Sequence, residues 1–171
     1  GGALNNAAGS EVNLMNADVY SHGGTSNTGR MSLYGLNTLS GAMTNQSGGQ
    51  VNVSGPSSEA VFWNSFVNNG TVYVTTGSTA TFFGLVSGLG VFHGGGTIHF
   101  AGDVTPGLSP GLMTMGGSIL FSGGALNMEL GGLAPGSGHD KIVFLSGSTV
   151  TLAGIGLNVE YWNGWTAAAG Q

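Results

Sequence analysis

Short runs of β-branched and aromatic residues recur about every twenty residues along this chain, a period typical of solenoids and propellers. Val51 and Val72 are one period apart, and so are Ile98 and Ile119. Glycine, asparagine and serine separate the runs. The 35 glycines among 171 residues are about three times the average usage, and they show no collagen-like triplet period. The pattern predicts short strands joined by tight corners.

The runs predict strands because each is short, is bounded by turn residues and often alternates apolar and polar positions. They cover residues 51–53, 71–74, 79–83, 97–100, 118–121, 125–130, 141–145, 148–152 and 156–161. The nearest helical pattern, between Met31 and Met43, is interrupted by Gly35 and Gly41, which are poor helix formers. We therefore expect a helix content close to zero.

A parallel solenoid fits this chain better than the other β-architectures. A propeller blade takes about 40 residues and four strands, and a sandwich usually carries lysine and glutamate on its outer faces. This chain has only two basic residues, Arg30 and Lys141. The prediction is an all-β, single-stranded parallel β-solenoid (β-helix) of about eight coils. A β-hairpin or wider coils near the C-terminus are the open alternatives there.

The length fits one β-solenoid domain or a fragment of one, covering residues 1–171. We expect irregular N-terminal coils over 1–50, regular coils over 51–125, and C-terminal coils or a cap over 126–171. The chain begins abruptly at Gly1 and stops at Gln171, so we expect a mature product or an excised fragment. Cysteine is absent, which is compatible with secretion and excludes thiolate chemistry.

Charge and hydropathy exclude several partners. The formal net charge is −5, and no basic cluster exists that could contact phosphates, so no nucleic-acid partner is expected. No apolar run is long enough for a membrane-spanning helix. We expect no cofactor and no metal. Asp residues are scattered singly, without the glycine-rich calcium pattern, and the histidines lack a third convergent ligand. They are His22, His93, His99 and His139.

Two groups of side chains are candidates for a site. Glu129 and Asp140 flank one loop and could pair as glycosidase carboxylates, although the expected arrangement is an outward Glu129 and an Asp140 that caps a turn. Three tryptophans are candidates for carbohydrate or self-association contacts: Trp63, Trp162 and Trp165. Phe62, Trp63 and Phe66 cannot all point inward from one extended segment, so Trp63 is expected to be exposed.

Several motifs resemble those of bacterial autotransporter-like and PEP-CTERM-type surface proteins with β-strand repeats. Residues 106–111 read PGLSPG, a PG-x-SPG motif, and residues 128–142 contain ELGG, then PG, then HDKI. Residues 68–74 and 154–159 are similar to the family's strand segments. The resemblance covers about Gln50 to Glu160. It implies extracellular solenoids with structural or adhesive roles, and it implies no catalytic residues.

The expected function is therefore a non-enzymatic structural or adhesive element of a bacterial surface layer, fibre or biofilm matrix. We expect it to be secreted or held at the cell surface, and either to self-associate end to end or to be cut from a longer capped rod. One alternative is a carbohydrate-binding module that uses exposed aromatic residues. A second is a polysaccharide-degrading enzyme on the same scaffold, which would need a basic or metal partner beside its carboxylates.

Overall fold

The computed structural model describes residues 2–107 and 109–166, and these residues form strands and turns without a helix. The strands lie in three parallel sheets. The first sheet contains β1 (Leu4–Asn6), β4 (Thr25–Asn27), β7 (Met43–Asn45), β10 (Phe66–Asn68), β13 (Val86–Gly88), β16 (Val104–Pro106), β19 (Ala125–Leu130) and β22 (Gly156–Tyr161). The second contains β2 (Glu11–Met15), β5 (Arg30–Tyr34), β8 (Gln50–Val53), β11 (Thr71–Val74), β14 (Val91–His93), β17 (Leu112–Met115) and β20 (Lys141–Phe144). The third contains β3 (Asp18–Tyr20), β6 (Leu36–Ser40), β9 (Glu59–Phe62), β12 (Thr79–Phe82), β15 (Thr97–Phe100), β18 (Ser118–Phe121) and β21 (Thr149–Leu152).

Consecutive strands visit the three sheets in turn, so three strands make one coil. Each strand from β1 to β19 pairs in parallel with the strand three positions later, as β8 pairs with β11 and β12 pairs with β15. The described residues complete seven coils, and β22 begins an eighth. The predicted parallel β-solenoid is confirmed, and its coil count differs slightly from the predicted value of about eight. Each predicted strand coincides with an observed one to within a residue or so at its ends.

The C-terminal part contains a wider coil. Equivalent residues in the first coils are 18 to 23 positions apart, whereas Asn127 and Asn158 are 31 apart. The excess is an excursion between β19 and β20, residues 131–140. After β22, Asn163 (φ 52°) and Gly164 (φ 69°) form a tight turn, closed by a hydrogen bond from the Trp165 N–H to the Trp162 carbonyl. This is the geometry of a two-residue hairpin turn, and residues 167–171 after it lie outside the described part.

The core is a set of columns in which each inward side chain rests on its equivalents in the neighbouring coils. The second sheet contributes Val51 and Val53 below Val72 and Val74, all fully buried. A column of phenylalanines runs along the third sheet from the third to the sixth coil; it consists of Phe62, Phe82, Phe100 and Phe121. Its ring centroids are 4.8, 5.5 and 5.1 Å apart, with interplanar angles of 7°, 20° and 21°. We call it the phenylalanine column.

The corners depend on glycine and on small amide or carboxylate side chains. Gly94 has φ +127°, and a Cβ there would collide with the Val74 carbonyl of the previous coil, so only glycine fits. Polar side chains satisfy backbone groups of adjacent coils at other corners. Asn64 accepts the Gly41 N–H at 2.8 Å, and Asp103 accepts the Ala125 N–H at 2.8 Å. The corners therefore add contacts between coils as well as turning the chain.

The two ends of the solenoid are less buried than its middle. Fully buried apolar residues occur from Met31 to Phe121, whereas every residue of β21 and β22 is exposed. Strands β1 to β7, within the first fifty residues, pair in the same three sheets as the later coils. Among the described residues, no helix is long and apolar enough to cross a membrane.

Candidate functional site

Trp63 is an exposed aromatic residue at the corner that follows β9. Its side chain is 51% exposed, while Phe62 and Phe66 on either side are buried. The Trp63 ring stacks on Phe83 of the next coil, with centroids 4.5 Å apart and an interplanar angle of 11°. The predicted outward orientation of Trp63 is therefore what the structure has. We call Trp63 and Phe83 the aromatic ledge.

The other two tryptophans lie at the C-terminal end. Trp162 follows β22 and packs against Gly131, where an added Cβ would be 2.9 Å from the tryptophan side chain. Trp165 is half-buried, with its ring centroid 6.0 Å from that of Tyr161. Trp63 is in the third coil and Trp162 follows the first strand of the eighth, about 24 Å away along the axis at roughly 4.8 Å per coil. The structure does not bring the three tryptophans together.

Asp140 connects three segments of the chain through its carboxylate. It is only 5% exposed. Its Oδ1 accepts the Gly111 N–H at 2.7 Å and its Oδ2 accepts the Glu129 N–H at 2.8 Å. Asp140 therefore caps backbone groups, as predicted from the sequence, and it connects residues of the PGLSPG segment and the HDKI segment. Because both oxygens already accept hydrogen bonds from backbone N–H groups, this carboxylate has a structural role.

Glu129 lies close to two other acids. It pairs in register with Glu160 of β22, and Asp140 accepts its N–H. Burial, followed by repulsion from Asp140 and Glu160, raises the pKa of Glu129. Burial also raises the pKa of Asp140, against the opposing effect of the N–H groups of Glu129 and Gly111 and of His139. The Glu129 Oε2 atom is buried and has no hydrogen-bond partner among the residues that the structure describes.

The histidines do not converge. His93 and His99 lie on different sheets, in β14 and β15. The His93 ring is 5.0 Å from that of Tyr73, while His99 Nε2 is 2.6 Å from Ser122 Oγ. Burial lowers the pKa of His99. Within residues 2–107 and 109–166, no group of three histidine or acidic side chains is placed to hold a metal ion.

A ladder of buried asparagines runs along the first sheet. Asn6 Nδ2 donates to Asn27 Oδ1 at 2.7 Å, Asn27 donates to Asn45 at 2.8 Å, and Asn45 donates to Asn68 at 2.9 Å. Each Nδ2 also donates to a backbone carbonyl of the following coil, those of Arg30, Gln50, Thr71 and Val91. We call these four residues the asparagine ladder.

The asparagine ladder was not found from the sequence. Its strands are three residues long and end in asparagine, which is depleted in strands and common in turns. The signal that could have revealed it is the recurrence of an asparagine two residues after an inward-facing residue, at intervals of 21, 18 and 23. The ladder ends at Gly88, where a Cβ would collide with the Asn68 backbone.

Comparisons with known proteins give no assignment: no protein-family model, no curated protein and no solved structure matches this chain.

Proposed function

We propose that this chain is an extracellular structural or adhesive β-solenoid of a bacterial surface layer, fibre or biofilm matrix. The single observation that supports it most is the uninterrupted stack of paired coils. Because each coil pairs with the next in all three sheets, the chain is a rod whose interior strands have no free edges. The sequence resemblance to bacterial surface proteins supports the proposed localisation, in which the chain is secreted or held at the cell surface.

The test of this proposal is localisation together with adhesion. An antibody against the chain is expected to label intact cells of the producing bacterium and their matrix. Beads coated with the chain are expected to adhere to those cells more strongly than beads coated with a heat-unfolded sample. Labelling that appears only after the cells are permeabilised, or equal adhesion of folded and unfolded chain, would contradict the proposal.

The proposal includes no catalytic step. Asp140 is one of the two carboxylates that flank a single loop. It accepts hydrogen bonds from the backbone N–H groups of Gly111 and Glu129. The two basic residues that a polysaccharide lyase could use are Arg30 in β5 and Lys141 in β20, in the second and seventh coils. Release of reducing or unsaturated sugar ends from bacterial polysaccharides, lost in a Glu129→Gln variant, would favour the enzyme instead.

Carbohydrate binding is a second candidate, and the aromatic ledge favours it. A flat, half-exposed indole is the kind of surface on which the apolar face of a sugar ring can stack. On a glycan array we expect any specific signal to be lost with Trp63→Ala and weakened with Phe83→Ala. Trp162→Ala and Trp165→Ala test the C-terminal tryptophans, and Tyr73→Ala is the exposed aromatic control. A signal that all these variants leave unchanged would exclude the tryptophans as the sugar contacts.

The partner that we propose is a second copy of the chain, bound through the end coils. Within residues 2–107 and 109–166, no strand pairs with the outer edge of β1 or of β22 in the first sheet, and Leu157, Val159 and Tyr161 of β22 are exposed. Free parallel edges are templates for further strands. Sedimentation velocity over a concentration series is expected to show growing species that Leu157→Lys suppresses. A monomer at every concentration would contradict this partner.

A further inference from the structure

The asparagine ladder has a direction. In each contact the side-chain amide group points towards the following coil and the side-chain carbonyl faces the preceding one, as Asn27 Oδ1 receives Asn6 Nδ2 and Asn45 Oδ1 receives Asn27 Nδ2. The same orientation carries through to Asn68. The ladder therefore ends differently at its two ends: one end presents an acceptor and the other an amide donor.

The donor end is closed within the fold. Asn68 donates to the Val91 carbonyl at 3.1 Å, and its Oδ1 also accepts the Gly70 N–H at 3.2 Å. The next position in the column is Gly88, which has no side chain. No further asparagine is needed at this end.

The acceptor end is open. Asn6 is only 3% exposed, and its Nδ2 makes both of its bonds towards the second coil. Among the described residues nothing donates to Asn6 Oδ1, the atom equivalent to the one that receives an amide in every later rung. It lies at the outer edge of β1, which has no partner strand on that side in the described part of the chain. An amide oxygen of a nearly buried side chain, left without a donor at a strand edge, is suited to a specific donor.

The ladder itself indicates which strand would fit. Each ladder strand has a core-facing residue, then an outward residue, then the asparagine: Leu4-Asn5-Asn6, Thr25-Ser26-Asn27, Met43-Thr44-Asn45 and Phe66-Val67-Asn68. Leu4 is half-buried and packs on the core, so an apolar residue above it would continue its column. We propose that the edge of β1 is a docking site for a parallel strand of another polypeptide that carries an apolar residue followed, two positions later, by asparagine.

The C-terminal end of a second copy is a poorer occupant of the same edge. In the column that begins at Asn6, the last strand presents Val159, because Val159 is in register with Met128. Val159 against Asn6 would leave the amide acceptor facing methyl groups. This inference goes beyond the proposed self-association: it assigns to the N-terminal edge a strand whose chemistry differs from that of the chain's own C-terminal end.

The test uses a labelled peptide with the sequence of residues 64–74, which contains Phe66-Val67-Asn68, and a matched peptide with Asn68→Leu. Fluorescence anisotropy measures the affinity of each peptide for the full chain. We expect saturable binding with a preference of about tenfold for the asparagine peptide, roughly the effect of one buried hydrogen bond. Hydrogen exchange is expected to show added protection in β1 and none in β22.

A variant then tests the atom. In Asn6→Leu the preference is expected to disappear or reverse towards the leucine peptide, whereas Asn158→Leu, an exposed asparagine at the other end, is the control and is expected to keep it. Equal affinities of the two peptides for the wild-type chain, absence of saturable binding, or protection centred on β22 would overturn the inference. The peptide comparison and the exchange map use the unaltered chain, so they decide the matter even if Asn6→Leu misfolds. End association in sedimentation without any peptide preference would refute this inference and leave the proposed self-association standing.

Discussion

The phenylalanine column and the asparagine ladder overlap in the third and fourth coils, but they hold the coils together in different ways. In the phenylalanine column, ring stacks on ring at 4.8 to 5.5 Å, and the contact has no donor or acceptor. In the asparagine ladder, each contact joins one amide N–H to one carbonyl oxygen. The first contact is non-directional and the second has a direction.

The difference teaches how such a fold combines stability with register. Burial of apolar surface stabilises in proportion to area and tolerates other residues of similar volume. A buried amide is tolerated only when its partners are in place, so a slip of one residue would leave several polar atoms without partners. The phenylalanine column therefore contributes most of the cohesion, and the asparagine ladder specifies which residue lies above which.

The largest expected effect on stability comes from removing one ring of the phenylalanine column. Phe82→Ala removes a buried ring that contacts four other phenylalanines, and we expect the free energy of unfolding to fall by about 4 kcal/mol. Phe82→Leu, which keeps most of the volume, is the matched control and is expected to cost about 1.5 kcal/mol. Urea unfolding followed by circular dichroism measures both. Equal losses for alanine and leucine would mean that ring stacking, rather than volume, stabilises the column.

A somewhat smaller effect is expected at Asp140, a buried polar contact that is not part of a repeat. Asp140→Ala leaves the Gly111 and Glu129 N–H groups without their carboxylate, and we expect a loss of about 3 kcal/mol. Asp103→Ala, which loses one exposed contact, is the control and is expected to cost about 1 kcal/mol. Hydrogen exchange should place the loss between the sixth and seventh coils. An Asp140 variant as stable as the wild type would show that the excursion can satisfy these groups in another way.

Cutting the asparagine ladder is expected to cost about 2 kcal/mol. Asn45→Leu removes the acceptor of Asn27 and the donor to Asn68, although both neighbours keep one backbone contact. Asn52→Leu, on the outer face of the same coil, is expected to change stability by less than about 0.5 kcal/mol. A double-mutant cycle of Asn27→Leu with Asn45→Leu should show that the two losses are not additive. Additive losses would mean that the ladder does not act as a unit.

The smallest expected effect is a pH dependence of stability that arises from Glu129 and Asp140 in the C-terminal coils. Because the pKa of Glu129 is raised above its ordinary value of 4.5, the folded chain keeps this proton at a pH where the unfolded chain releases it. The stabilisation is fully present below pH 4.5 and is lost as the pH rises through the folded-state pKa. Asp140, whose pKa is also raised, acts in the same direction.

Glu129→Gln tests this pH dependence by removing one of the two titrating groups. Thermal melts from pH 4 to 8 should show a shallower slope for Glu129→Gln than for the wild type, while Glu59→Gln should leave the slope unchanged. A Glu129→Gln chain that loses stability with rising pH as steeply as the wild type would assign the dependence to other groups.

Seven of the nine predicted strands lie in the second and third sheets, and they could be predicted because they carry the β-branched and aromatic residues that fit a pleated, half-buried surface. Thr71–Val74 and Thr97–Phe100 read as strands in isolation and are strands in the fold. Met43–Asn45 is not among the predicted strands, yet it is a strand in the fold, where its neighbours in the preceding and following coils supply the partners of Asn45. Such information lies in contacts about twenty residues apart and not in any local window.

The candidate site divides in the same way. The exposure of Trp63 followed from strand alternation beside Phe62 and Phe66. The contact between Asp140 and Gly111 did not follow, because 29 residues separate them and nothing near either one marks the other. Local features such as the exposure of Trp63 can be predicted from the sequence. Contacts between coils can be predicted only when it is known which residues of neighbouring coils lie next to each other.

The excursion between β19 and β20 has a practical consequence for protein engineering. It lengthens one coil, yet β19 and β20 still pair in register with strands of the sixth coil, at Val104–Leu126 and Leu112–Lys141. The additional residues of the excursion extend outward from the solenoid at a corner, and the chain then rejoins the same coil. Such a corner is a natural position for a peptide tag or a small guest domain, which would be carried on the flank of the rod without interrupting it.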